Sequence, residues 1–93
     1  MIRHIVLWKF RPGTEAERDV FLERLRGLQG VIPQLVRSQV SLNAGPGNYD
    51  AALIAEFRSL EDLALYLQDP RHQEVSALCR AIRTDRASVD CEI

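Results

Sequence analysis

The run Ile2-Arg3-His4-Ile5-Val6-Leu7-Trp8-Lys9-Phe10 constrains the fold more than any other part of the chain. Side chains of a strand alternate between its two faces. Ile2, His4, Val6, Trp8 and Phe10 therefore share one face, and Ile5 and Leu7 lie on the other. A strand apolar on both sides belongs in the middle of a sheet, with neighbours on both edges and cover on both faces. The rest of the chain has to supply those neighbours and that cover. His4 is the one ionisable group on the more apolar face, so its imidazole is directed into the interior.

The remaining elements follow from periodicity and punctuation. Arg11-Pro12-Gly13 is a turn signal. Thr14-Glu15-Ala16-Glu17 has the form of a capping box, with Thr14 as N-cap and Glu17 as its reciprocal partner. The helix it opens is expected to run to about residue 30, with Phe21, Leu25, Leu28 and Ile32 on one face. Pro33 ends that pattern. A second strand is expected over 35–43, where Val36, Val40 and Leu42 alternate with polar residues. The loop from Asn43 to Asn48 is rich in glycine but lacks the Lys-Ser/Thr and following helix of a phosphate cradle. A third strand is expected over 49–57, with Tyr49, Leu53 and Phe57 on one face and Ala52 and Ile54 on the other. Ser59 then caps a helix bearing Leu60, Leu63, Tyr66 and Leu67. Asp69-Pro70 restarts the helix, with Asp as cap and Pro in the first turn. Its apolar face carries His72, Val75, Cys79 and Ile82. The last strand, 85–93, alternates Ala87, Val89, Cys91 and Ile93 with polar residues.

The order β-α-β-β-α-β is the split βαβ arrangement of an α+β, ferredoxin-like fold. It implies a four-stranded antiparallel sheet, strands one and three central, with helices on one face only, in a single domain over 1–93. The other face would then display Ile5, Leu7, Ala52 and Ile54. An apolar patch of that kind marks an interface, so a homodimer packed through the open sheet face is expected.

Twelve basic and thirteen acidic residues leave a net charge of −1. That balance offers no electrostatic case for nucleic acid or an anionic membrane. No apolar run approaches the roughly 20 residues of a membrane span, and no cleavage-site signature follows the N-terminus. Cys79 and Cys91 fall on apolar faces without CxxC spacing, which reads as reduced, buried thiols in a cytoplasmic protein.

Proton chemistry centres on the two histidines, His4 and His72, both assigned to apolar faces. Imidazole is the side chain most readily tuned for proton transfer near neutral pH. The alternative is two core imidazoles bonded to nearby backbone, or to Asp69 in the case of His72. No metal is expected, since two histidines without nearby cysteines or paired carboxylates do not complete a zinc set. Asp85, Asp90 and Glu92 read as a solvated strand face, and nothing beyond His72 itself points to haem.

Taken together, the first strand, Tyr49 to Phe57, Tyr66-Leu67-Gln68-Asp69-Pro70-Arg71-His72-Gln73 and Asp85-Arg86-Ala87-Ser88-Val89-Asp90 resemble the stress-responsive A/B barrel (Dabb) proteins of the dimeric α+β barrel superfamily. The resemblance covers essentially the whole chain. It implies a homodimeric barrel with a pocket between sheet and helices that binds a small apolar molecule, lined by Val6, Trp8, Phe21, Leu22, Leu25 and Val75. Some plant members are cofactor-independent polyketide cyclases that close a ring by intramolecular aldol chemistry. At the matching positions stand His4, Tyr66 and His72, which gives an alternative enzyme reading with His72 as base and no cofactor. Leu22 and Leu25 stand near positions where those enzymes carry aromatics, and Arg26 replaces an apolar residue.

Overall fold

The computed structural model describes residues 1–93. Strand β1, Ile2–Phe10, lies inside a four-stranded sheet of order β2-β3-β1-β4, with β2 at Arg37–Leu42, β3 at Ala51–Phe57 and β4 at Arg83–Glu92. Every pairing is antiparallel. The central position of β1 follows from its two apolar faces, and its burial alternates as the sequence requires. Helices α1 (Glu15–Arg26), α2 (Leu60–Gln68) and α3 (Pro70–Arg80) all cover the face that carries Ile2, His4, Val6, Trp8 and Phe10. This is the ferredoxin-like architecture.

One core cluster of 20 buried residues fills the space between sheet and helices. Helix α1 contributes Phe21, Leu22 and Leu25, α2 contributes Leu63 and Tyr66, and α3 contributes Val75 and Cys79. The break between α2 and α3 is built from the Asp69-Pro70 pair. Asp69 has an extended backbone, its side chain accepts from the Arg71 N–H, and Pro70 occupies the first turn, where its missing N–H costs nothing. Ser59 caps α2 by accepting the Asp62 N–H at 3.1 Å.

The capping box expected at Thr14 does not form. The Thr14 hydroxyl donates back to the Arg11 carbonyl at 2.6 Å, and the residue's ψ of 26° departs from the extended conformation an N-cap needs. Helix α1 also stops at Arg26, four residues short of expectation, and turns at 27–34 carry Leu28 and Ile32 into the core. Tyr49 precedes β3 rather than belonging to it, and its hydroxyl donates to Asp85 at 3.0 Å.

The open face of the sheet is legible in the register. Gln39, Ile54, Ile5 and Val89 form one row across the four strands, and Ser41, Ala52, Leu7 and Ala87 form the next. Ile54 and Val89 are exposed there.

Candidate functional site

The register of β4 against β1 decides what faces His4. His4 pairs with Asp90, Val6 with Ser88 and Trp8 with Arg86. Directly paired residues share a face, so the polar set of β4 faces the helices and its apolar set, Ala87, Val89 and Cys91, faces outward. Asp85, Asp90 and Glu92 are exposed as expected, but Asp90 also reaches inward to His4. His4 Nδ1 lies 2.6 Å from Asp90 Oδ1, with the imidazole almost wholly buried. A carboxylate at Nδ1 holds the proton there and leaves Nε2 as the nitrogen free to act on a ligand.

His72 reaches the same region from the first turn of α3. The groups beside it in the chain hold other bonds as well. Asp69 Oδ1 accepts from the Arg71 backbone and Nε, and Oδ2 accepts from Arg71 Nη2. These bonds hold the Asp69 carboxyl down at about 2. The Leu67 carbonyl accepts from Gln73 Nε2 at 2.6 Å. His72 Nδ1 is left buried with no partner. Burial lowers the His72 pKa from its ordinary value, and nearby His4 and Arg86 act in the same direction, with the Leu67 carbonyl opposing them. The ring is therefore neutral at neutral pH. The unpartnered Nδ1 leaves the ring's hydrogen-bonding capacity unspent beside the cavity.

Tyr66 joins the two histidines by packing. Its ring lies 5.0 Å from Phe57 and 4.6 Å from His72, and Phe57 in turn meets His4 edge-on at 6.4 Å. Aromatic contacts at these separations fix ring orientation. Burial raises the Tyr66 hydroxyl well above its ordinary range, so it stays protonated.

A cavity of about 50 Å³ opens between β1, β4, α1 and α3. His4, Val6, Trp8, Phe21, Leu25 and His72 line it, joined by Ser76, Cys79, Arg83 and Arg86 among others. Leu22, Val75 and Tyr66 are buried in the core beside it and do not line it. The cavity is thus less apolar than the sequence implied. Its volume is room for a few water molecules, a small fraction of the roughly 300–1,000 Å³ of a drug-sized site. Sequence reasoning missed Asp90, Arg83 and Arg86. The signal for them was the antiparallel pairing of first and last strands, which sets an acid opposite His4.

The chain is a ferredoxin-like α+β domain in which a buried imidazole paired to a part-exposed carboxylate and a second imidazole lie at one small cavity between sheet and helices. The family described as the stress responsive A/B barrel domain (Dabb) matches residues 2–93, and the chain belongs to it. A dimeric protein of unknown function with a ferredoxin-like fold from Bacteroides fragilis is 32% identical, with a TM-score of 0.88 over 99% of this chain and 95% of that one. A dimeric ferredoxin-like protein of unknown function from Thermobifida fusca is 26% identical, with a TM-score of 0.89 over 99% and 90%. Hydroxynitrile lyase from Passiflora edulis shares the fold at 17% identity, with a TM-score of 0.87 over 99% and 92%. No curated protein matches the chain in sequence. No helix is long and apolar enough to cross a membrane, and no three His, Cys, Asp or Glu side chains gather into a potential metal site.

Proposed function

We propose that this chain is a homodimeric, cofactor-independent acid/base protein that binds a small carbonyl compound in the cavity between sheet and helices. The observation that carries the reading is the 2.6 Å contact of His4 Nδ1 with Asp90 beside the unpartnered His72. His4 is the base. Asp90 fixes its tautomer, and Nε2 takes a proton from the carbon next to the carbonyl. The neutral His72 ring donates its one N–H to the developing enolate oxygen. Tyr66 is a positioning residue that holds His72 by a tilted ring contact. This exchanges the roles suggested by the family resemblance, in which His72 is the base. Two imidazoles, two guanidinium groups and Ser76 on the lining favour a small polar ligand over an apolar one, and the volume disfavours a polyketide chain. The lyase from Passiflora edulis lends the frame a precedent for catalysis without assigning a reaction here.

Dimerisation rests on the open apolar rows of the sheet, Ile5, Ile54 and Val89 with Leu7, Ala52 and Ala87, and on the dimeric state of the Bacteroides fragilis and Thermobifida fusca proteins. Deuterium exchange at the α-carbon of small ketones and aldehydes in D₂O tests the reading. The protein accelerates exchange, and His4→Ala abolishes it while the fold persists by circular dichroism. Acceleration that survives in His4→Ala overturns the assignment.

A further inference from the structure

The cavity carries two guanidinium groups that the acid/base reading does not use. Its lining includes Arg83 and Arg86 together with both imidazoles, and the nearby carboxylate, Asp90, is engaged by His4. The chain as a whole carries a net charge of −1, so this concentration of positive groups is local. Neither arginine forms an ion pair, although six other ion pairs exist in the chain. The side-chain bond recorded for Arg86 goes to the Ser88 hydroxyl at 3.2 Å.

The backbone places the two arginines together by a device. Residues three apart on a regular strand point to opposite faces. Here Phe10 pairs with Arg83 and Lys9 with Asp85, so the register shifts and β4 gains one residue at that point. Trp8 then pairs with Arg86. Because Phe10 and Trp8 share the inner face, the bulge turns both arginines inward. Bulges of this kind re-aim side chains beside functional sites. Burial and the adjacent Arg83 both push the Arg86 guanidinium down from its ordinary value, with Cys79 and Asp90 opposing them.

We infer that Arg83 and Arg86 form an anion subsite, and that the ligand of this pocket is a short-chain oxo acid, its carboxylate on the arginines and its carbonyl toward the histidines. The inference rests on the acid/base reading for the carbonyl half only. Guanidinium groups match a carboxylate in geometry and charge. The Arg86 and His4 rows lie four residues apart on β1, about 13 Å by strand rise, and the arginine side chain spans much of that. What remains suits a molecule of a few heavy atoms, in keeping with the cavity volume.

Pyruvate and its neutral methyl ester separate the two claims. Calorimetric titration is expected to show pyruvate binding at least about tenfold more tightly than methyl pyruvate, the gain of one charge-assisted contact. Arg86→Gln and Arg83→Gln are each expected to erase most of that preference, and Arg86→Lys to keep part of it. Equal binding of acid and ester to the unmodified protein, or binding of neither, overturns the anion subsite without any variant. Methyl-proton exchange in D₂O, followed by NMR on the same samples, reads the other claim. There the C–H bond breaks, its proton passes to His4 Nε2, the electron pair moves onto the carbonyl oxygen, and a deuteron returns. Preferential, arginine-dependent pyruvate binding without exchange supports the subsite and sinks the acid/base reading. Equal binding with equal exchange of both compounds does the reverse.

Discussion

Replacing Asp90 by Asn keeps the shape of the His4 partner and removes its charge. A hydrogen bond to a charged group is worth about 1.5–3 kcal/mol. His4 is buried but the Asp90 side chain is 40% exposed, and solvent screening lowers that range to about 1–2 kcal/mol. For a domain of this size each kcal/mol moves the melting temperature by about 4–8 °C. Asp90→Asn is therefore expected to melt about 5–15 °C lower at fixed protomer concentration, the condition that a dimer imposes. The second consequence is chemical. An amide donates as well as accepts, so the variant no longer obliges the proton to sit on Nδ1, and a ring protonated on Nε2 cannot act as base there. Nitrogen-15 NMR of the imidazole distinguishes the tautomers: Nδ1–H in the unmodified protein, a substantial Nε2–H population in the variant. An unchanged melting temperature together with a persistent Nδ1–H would show that Asp90 neither stabilises nor orients His4, and the reasoning would fail.

Two further outcomes follow from burial and packing. The His72 pKa is lowered by burial from an ordinary value of about 6.5, so on acidification the unfolded chain takes up this proton before the folded one does. The contribution is fully present above about pH 7 and is lost as pH falls through about 6.5 toward the folded value. Urea unfolding between about pH 7.5 and 5.5 should show this decline, and His72→Gln should flatten it; an identical slope in the variant would exclude His72 as the source. On the open face, Ile5 pairs with Ile54 and Val89, and Ile5→Asp buries a charge if two sheets meet there. Light scattering should find this variant monomeric at micromolar concentration, whereas an unaltered dimer would place the interface on another surface.

The sequence revealed what depends on local pattern. The two-faced apolarity of β1 located it at the centre of the sheet, and Asp69-Pro70 located the break that starts α3 and brings His72 to the cavity. Local chemistry also misled where tertiary structure competed for it. Thr14 has the capping-box sequence, yet its hydroxyl is drawn to the Arg11 carbonyl and the reciprocal motif is lost. Helix α1 ends at Arg26 because the chain must turn to reach β2, although Leu28 and Ile32 keep the helical apolar spacing. On β4 the usual assumption that apolar residues face the core was wrong. β4 is an edge strand, and its outward face belongs to the apolar rows of the open sheet. Asp90 was therefore hidden by alternation and becomes visible only through pairing with β1. Arg83 and Arg86 were hidden for a different reason, since their shared face depends on a bulge that no spacing rule announces.

The most direct test of the acid/base pocket is a crystal structure of the protein with pyruvate bound. The methyl carbon is expected within about 3.5 Å of His4 Nε2, the separation of a reactive contact, with the carbonyl oxygen toward His72. Pyruvate seated away from both histidines, or a His4 Nε2 bonded to main chain with no ligand in reach, would contradict the account.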